Sequence, residues 1–217
     1  MKKTLLALFV LMSIPIHAQS IRITYDPGFG TYSMANMRAI QDYTSKHING
    51  LPIQKVVQFP GYINHSASVG FYLDKNILIG INAAYVTTGG RNHLSDYSGE
   101  YKMDMILNGY QLGIDSEYIF NLSKKVDFNA NFKVGYIRST LDVNEFLSVY
   151  NVDSKNSKEH LSQDSFFLEP NVSLSYNIIR GIEARLGIGY NLDTSVFDNK
   201  MIDWSGLRTK IGVSYSF

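Results

Sequence analysis

Apolar and polar residues alternate along much of this chain with a period of two. The clearest segment is 182–193, where the apolar positions are Ile182, Ala184, Leu186, Ile188, Tyr190 and Leu192. The residues between them are charged residues, asparagine or glycine. Successive side chains of a β-strand point to opposite faces, so this segment predicts a strand with one apolar and one polar face.

The same pattern recurs and predicts eight strands in all. They span residues 21–29, 65–73, 77–86, 110–120, 126–136, 166–178, 182–193 and 204–217. Pro170 lies inside the sixth strand, and proline has no N–H to donate to a neighbouring strand. We therefore expect a β-bulge at Pro170.

The connections between these strands are alternately short and long. The short ones are 74–76, 121–125 and 179–181, and the long ones are 30–64, 87–104, 141–164 and 194–203. A water-soluble sandwich or a lipocalin-like barrel also has alternating strands, so the period alone does not decide the class. Short turns at one end and long loops at the other are typical of an up-and-down barrel in an outer membrane.

The aromatic residues of the apolar face are sorted into two groups. When strand direction is followed, one group falls near the long loops: Tyr85, Tyr110, Tyr136, Phe166 and Tyr190. The other falls near the short turns: Phe71, Tyr118, Phe120, Phe128, Tyr176, Tyr215 and Phe217. Aromatic rings concentrate at both membrane–water interfaces, so the two groups favour a transmembrane barrel.

The polar faces of the strands carry charged side chains that point into the predicted lumen. They are Arg22, Asp26, Asp115, Glu117, Asp127, Lys133, Glu169, Glu183, Arg185, Asp193, Arg208 and Lys210. An eight-stranded barrel is just wide enough for side chains to fill it. We expect a closed network of paired charges, and the alternatives are a polar conduit or a catalytic pair of carboxylates.

The first long loop contains a helical pattern. Ser33 is a candidate N-cap, and Met34, Met37, Ile40 and Tyr43 recur at helical spacing before Asn49-Gly50 and Pro52. This predicts a short amphipathic helix over the mouth of the barrel. The alternative is a surface on which a partner docks, since methionines adapt to irregular shapes.

The two ends and the composition narrow the class of protein. Residues 1–18 have two lysines, an apolar run and a small residue at Ala18, which predicts a cleaved secretory signal before a barrel domain at 19–217. The chain has no cysteine, which excludes disulfides and thiolate chemistry. Its 20 basic and 19 acidic residues provide no basic excess for nucleic acid. No cofactor and no metal ion is expected.

In these features the sequence resembles the small outer-membrane β-barrel proteins of the OmpA/OmpX/opacity type, particularly those of Bacteroidetes. The matching features are Ala18-Gln19, the eight amphipathic strands, the stretch 59–73 and the final "SYSF". The resemblance implies an integral protein of the cell outer membrane, surrounded by lipopolysaccharide. It also implies that the barrel-assembly machinery reads Tyr215 and Phe217, and that an unidentified surface protein or host ligand is a further partner.

The resemblance specifies architecture better than activity, because this fold hosts many functions. We expect a structural or adhesive role through the long loops. The alternatives are a small-solute channel or an enzyme that modifies lipid A, as the barrel deacylases do with a His-x-Ser pair and a glutamate. Two such triplets supply candidate catalytic residues here: His93 with Ser95, and His160 with Ser162. Neither Glu100 nor Glu169 stands at a recognisable spacing from them, so we interpret both triplets as ordinary loop residues.

Overall fold

The structure, a computed structural model, describes residues 20–47, 53–150, 152–198 and 200–217. The predicted signal segment 1–18, its cleavage site and the predicted helix end at 49–52 therefore lie outside the described residues. The elements are β1 (Ile21–Gly30), α1 (Ala35–His47), β2 (Gln54–Gln58), β3 (Tyr62–Asp74), β4 (Ile77–Asp96), β5 (Gly99–Asn121), β6 (Val126–Val149), β7 (Val152–Ile179), β8 (Ile182–Asp193) and β9 (Gly206–Ser216). No helix among the described residues is both long and apolar enough to span a membrane.

The strands form one closed antiparallel barrel. Neighbours follow the order β2-β4-β3-β1-β9-β8-β7-β6-β5, and pairing between β4 and β5 closes the ring. β2 and β3 both pair with β4, one beyond the other, so together they act as a single interrupted strand. The first and last strands meet through Ile21 and Phe217, whose backbone N–H groups donate to each other's carbonyls over 3.0 and 3.1 Å. The predicted all-β, eight-stranded barrel with a helix in its first loop is confirmed.

Side chains alternate between the lumen and the outer surface as the sequence predicts. On β1, for example, Arg22 and Thr24 are buried while Ile21 and Ile23 are exposed. Within each of the two aromatic groups, rings on neighbouring strands contact each other on the outer surface. Tyr85 pairs in register with Tyr110, and their ring centroids lie 5.4 Å apart. We call the group Tyr85, Tyr110, Tyr136, Phe166 and Tyr190 the outer belt.

The strands continue well beyond the outer belt, and here the predicted boundaries are wrong. Residues 87–104 and 141–164 were expected to be loops, but they lie mostly within β4, β5, β6 and β7. Their ladder is continuous, with Arg91 opposite Asp104 and Asp142 opposite His160. The predicted strands ended at the belt because the apolar outer face ends there. The strands themselves continue, because hydrogen bonding between backbones does not require an apolar face. We call the parts of β4–β7 beyond the belt the protruding sheet.

The helix α1 lies at the loop end of the barrel, but its details differ from the prediction. The Met34 carbonyl accepts the first helical hydrogen bond, from the Arg38 N–H (2.9 Å), so Met34 rather than Ser33 is the N-cap. Met34 and Met37 are fully buried, as expected of an apolar face. Tyr43 is 65% exposed, because the side of the helix that it occupies faces away from the barrel.

Pro170 does not cause a bulge. Leu168 pairs with Leu192 and Asn171 pairs with Gly189, so the register between β7 and β8 is the same on both sides of the proline. Only the ladder between them is interrupted, since neither Glu169 nor Pro170 pairs with β8. A missing N–H is accommodated by a local gap, and no extra residue is needed.

Candidate functional site

The lumen is built around one carboxylate that contacts two arginines. Glu117 on β5 lies 2.5 Å from the Arg22 guanidinium on β1 and 2.7 Å from the Arg185 guanidinium on β8. All three side chains are buried. We call Arg22, Glu117 and Arg185 the lumen triad. It joins three strands that are not neighbours in the barrel, and it therefore crosses the lumen.

Two further pairs lie beside the triad. Lys133 Nζ is 3.8 Å from Asp115 Oδ2, and Asn131 donates to Asp115 Oδ1 over 2.7 Å. Lys210 contacts Glu169, which joins β9 to β7. A buried charge is costly unless it is paired and hydrogen-bonded, and these contacts provide the pairing.

The other predicted lumen residues stand apart from this cluster. At the loop end, Arg208 donates to the Thr31 and Trp204 carbonyls (2.7 and 2.8 Å), and the Asp193 carboxylate accepts from the Ser195 N–H (2.9 Å). At the turn end, Asp127 accepts from Asn177, and Glu183 accepts from Ser214 over 3.0 Å. Asp26 lines a small cavity together with Lys133 and Lys210.

Little space remains between these side chains. Two cavities lie in the polar lumen, and each measures about 10 Å³. A single water molecule needs about that much room. The described part of the lumen is therefore filled by side chains.

An apolar core closes the loop end of the barrel above this polar layer. We call it the apolar plug, and its buried members are Tyr32, Met34, Met37, Ile53, Phe59, Val86, Tyr101, Met103, Met105, Leu107, Ile137, Leu141, Phe167, Ile202 and Trp204. Trp204 is at its centre, donating from its indole N–H to the Ser139 hydroxyl (2.8 Å) and packing edge-on against Tyr32 at 5.0 Å. The Arg208 guanidinium lies over the Tyr32 ring, 4.7 Å from its centroid.

Sequence reasoning missed the apolar plug, although a signal for it exists. On β5 the apolar positions from Tyr110 to Phe120 are even-numbered apart from Ile119, but Tyr101, Met103, Met105 and Leu107 are odd-numbered. The alternation thus changes phase at the outer belt. Below the belt apolar side chains face outward, and above it they face inward, as in a water-soluble barrel.

Above the outer belt, polar and charged side chains contact each other across neighbouring strands of the protruding sheet. Partial burial works to raise the pKa of the Asp104 carboxyl, but Arg91 and Lys102 outweigh it and hold that pKa below its ordinary value. Burial and a hydrogen bond to the Glu145 carboxylate raise the pKa of the Tyr101 hydroxyl. The Arg91–Asp104 contact joins β4 to β5, and the Tyr101–Glu145 hydrogen bond joins β5 to β6.

The two His-x-Ser triplets do not form catalytic pairs. His93 contacts Glu100 at 3.2 Å and His160 contacts Asp142 at 2.7 Å, and neither histidine hydrogen-bonds to Ser95 or Ser162. Residues two apart on a strand share a face but are separated by ~6.6 Å, which is too far for a histidine to take a serine proton. Among the described residues, no group of three His, Cys, Asp or Glu side chains could hold a metal ion.

Comparison with known proteins identifies the fold. No family model matches the sequence, and no curated protein sequence does either. Among solved structures, a major outer membrane protein from Thermus thermophilus is 12% identical, with a TM-score of 0.52 over 91% of this chain and 99% of that one. OprG from Pseudomonas aeruginosa (11% identity, 92% and 96% covered, TM-score 0.49) and Neisserial surface protein A (11%, 91% and 97%, 0.47) are also similar. The fold is that of outer-membrane β-barrel proteins.

Proposed function

We propose that this chain is an integral outer-membrane protein with a closed lumen, which acts at the cell surface through its protruding sheet in a structural or adhesive role. The observation that carries the proposal is the length of β4–β7. β6 runs about 13 residues past Tyr136, or ~43 Å of strand at ~3.3 Å per residue. A structure of that reach extends well beyond an interfacial belt, and the lumen below it is filled.

The outer surface supports insertion in a bilayer. On β5 the outer belt residue Tyr110 and the lower aromatic Tyr118 are ~26 Å apart along the strand, which is ~20 Å after the usual tilt of about 40°. Exposed aliphatic residues occupy the space between them, such as Leu112 and Ile114. This agrees with the apolar band of ~25 Å between aromatic girdles in transmembrane barrels.

The edge of the protruding sheet offers a surface for recognition. Pairing of β7 with β8 ends at Phe167 and Asp193, so residues 155–162 have strand pairing on one side only within the described chain. An open edge can accept an extended segment of a partner through backbone hydrogen bonds. Lys155 and Lys158 lie on this edge, and charged residues of this kind discourage pairing between identical copies.

The maturation route is part of the same proposal. Residues 1–18 direct export and are removed after Ala18, and the domain 19–217 is inserted by the barrel-assembly machinery, which reads Tyr215 and Phe217. Lipopolysaccharide surrounds the inserted barrel, and the partner at the protruding sheet is a surface protein or host ligand. The resemblance to Bacteroidetes barrels supports this route.

The geometry favours neither of the two alternative functions, an enzyme that modifies lipid A and a small-solute channel. His93 lies ~26 Å of strand beyond the outer belt residue Tyr85, whereas an enzyme that acts on lipid A must reach groups at the membrane surface. A channel requires a continuous aqueous path, but the cavities among the charged side chains of the lumen are small, and the apolar plug with Trp204 closes the loop end above them.

Cysteine labelling tests the insertion and orientation directly, because the chain has no cysteine of its own. Tyr97→Cys replaces a residue that is 98% exposed at a tip of the protruding sheet, and Leu122→Cys replaces one that is 63% exposed at a short turn. A maleimide that cannot cross membranes should label the first on intact cells and the second only after permeabilisation. Equal labelling of both on intact cells would overturn the proposal.

A shortened hairpin tests the role of the protruding sheet. Glu145 and Ser157 are paired, so residues 146–156 can be replaced by an Asn-Gly turn without changing the register below them. The variant should still migrate differently on gels with and without boiling, as closed barrels do. Cells that display it should lose the autoaggregation or surface adherence that wild-type protein confers, and unchanged adherence would contradict the adhesive role.

A further inference from the structure

A cleft at the loop end has no part in the proposed function. It lies between α1 and β7, has a volume of about 330 Å³, and is open beside Leu161 and Met201, which are 45% and 37% exposed. An engineered apolar cavity of ~150 Å³ is enough to bind benzene. This cleft therefore has room for an organic molecule of one or two rings.

Eight of the twelve residues that line the cleft are apolar, and four of these are methionines. Met37, Met103, Met105 and Met201 all line it. Thioethers are polarisable and adapt to the shape of a bound group, and they make favourable contacts with aromatic rings. The walls thus suit an aromatic or alkyl body rather than a sugar or a phosphate.

Two acidic side chains give the cleft its charge. Glu145 lies opposite Ser157 and Glu159 lies opposite Val143, so the two acids are diagonal neighbours on one face of the sheet, with backbones ~7 Å apart. Glu145 accepts a hydrogen bond from the Tyr101 hydroxyl (2.8 Å), which orients it. Among the described residues, neither acid forms an ion pair with a lysine, arginine or histidine.

We propose that this cleft binds a small organic amine: a single ammonium group, held between Glu145 and Glu159, on an apolar body that packs against the methionines. Two acids that face apolar walls without a cation of the chain are complementary to a cationic ligand. The same charges exclude a carboxylate of equal shape. A neutral ligand of that shape leaves both acids without a counter-charge.

The test compares three probes of one shape on the full chain in zwitterionic nanodiscs. They are 2-(1-naphthyl)ethylammonium, the corresponding naphthylethanol and 1-naphthylacetate, each measured by equilibrium dialysis against protein-free nanodiscs. The amine should bind saturably at one per chain and roughly tenfold more tightly than the alcohol, since charge-assisted hydrogen bonds are about twice as strong as neutral ones. The carboxylate should not bind above background.

Three variants separate the roles of charge and shape. Glu145→Gln with Glu159→Gln should abolish the preference for the amine over the alcohol, and Leu161→Trp should weaken both by narrowing the opening. Glu100→Gln is the matched control, because Glu100 lies elsewhere on the same sheet and contacts His93. Retention of the gel mobility shift shows that each variant is folded. Equal affinity for amine and alcohol in the wild-type chain, or a preference that survives the double substitution, would overturn the proposal.

Discussion

At the scale of single residues, Glu117 is a buried carboxylate on which two buried cations depend for their counter-charge. It is buried, and its carboxylate contacts Arg22 through Oε1 and Arg185 through both oxygens. Removing one partner of a buried ion pair leaves the other charge without compensation. Substitution of Glu117 alone would leave two buried guanidinium groups, those of Arg22 and Arg185, without a counter-charge.

We therefore expect Glu117→Gln to lower the free energy of unfolding by roughly 3–5 kcal/mol. The measurement is urea unfolding of the detergent-solubilised barrel. Glu183→Gln is the control, because Glu183 accepts one hydrogen bond from Ser214 at the turn end, and it should cost less than half as much. Equal losses in the two variants would show that the lumen triad is not a special source of stability.

Asp104 supports a prediction about pH. Its pKa lies below the ordinary value of about 4 because Arg91 and Lys102 outweigh partial burial. A carboxyl whose folded-state pKa is depressed stabilises the fold above its unfolded pKa, and this contribution disappears as pH falls through the folded value. NMR titration should show Asp104 titrating below the ordinary range. Arg91→Gln should raise the pKa of Asp104, whereas the control Lys124→Gln, at a distant turn, should leave it unchanged. If the pKa of Asp104 does not respond to Arg91→Gln, Arg91 is not the cause of its depression.

Which residues face the lumen could be predicted from the sequence, but their partners could not. Alternation alone placed Arg22, Glu117 and Arg185 on the inner face, because the side-chain period of a strand is two. Their contact depends on strand tilt and stagger around the closed barrel, which bring together positions far apart in sequence. Trp204 was assigned to the last strand, but it precedes β9 and packs in the apolar plug, since no local pattern distinguishes the two placements.

At the scale of elements, the entry into β9 depends on one glycine. Gly206 has a φ of +156°, and a Cβ there would lie 2.1 Å from the Thr31 carbonyl oxygen. That oxygen also accepts from Arg208. The segment from Trp204 to β9 can therefore pass Thr31 only without a side chain at 206.

Gly206→Ala should be strongly destabilising, by more than about 2 kcal/mol, since the contact is with backbone and cannot be relieved by a rotamer change. The temperature at which the gel mobility shift disappears provides the measurement. Gly187→Ala is the control, because its Cβ would meet nothing closer than 3.1 Å. If both variants shift the temperature equally, the close approach at Thr31 is not the cause.

Phe217, directly after β9, supports a prediction about assembly. Phe217 contributes two backbone hydrogen bonds to Ile21 and packs against Tyr215 with ring centroids 5.4 Å apart. We expect deletion of Phe217 to leave the chain in the periplasm and sensitive to protease. Phe71→Ala removes a similarly exposed aromatic that faces the same Ile21 in register, and this control should assemble normally. Normal outer-membrane levels of the truncated chain would contradict a role in assembly.

Strand identity was predictable at the element scale, whereas strand length was not. Each transmembrane segment has an outward apolar face of definite length, which the sequence shows. Beyond Tyr85 and Tyr136 the outward face meets water, so polar residues take over and the signal for a strand fades. The ladder nevertheless continues to Asp96 and Val149, because backbone groups pair regardless of the side chains outside them.

At the scale of the whole molecule, the barrel has two closures in series. The polar layer contains the lumen triad, and the apolar plug with Trp204 lies above it. The topology could be predicted from the alternation and the connection lengths, but the second closure could not, because most of its residues fall outside the predicted strands. The fold alone does not specify a partner, since one barrel architecture serves many functions.

Two closures predict an absence of conductance. Purified wild-type protein in planar bilayers should give no steady single-channel current, because the two cavities among the charged lumen side chains measure only about 10 Å³ each. Trp204→Ala should remain closed, since the polar layer is unaffected. Adding Glu117→Ala and Arg185→Ala, which remove both partners of one ion pair, should produce measurable openings. Steady current from the wild-type protein would instead favour a channel.

The unbroken course of β5 has a mechanical consequence. It runs from Gly99 at a tip to Asn121 at a turn, and it is paired with β4 and β6 over nearly all of that length. A pull on Tyr97, directed away from the cell, acts along the strands and across their hydrogen bonds, which lie perpendicular to them. The bonds are then loaded together in shear rather than broken one after another. Tension on the tip is thus shared by the full ladder and transmitted to the part of the strand anchored in lipid, so a cell tethered at this point would be held by the barrel as a whole.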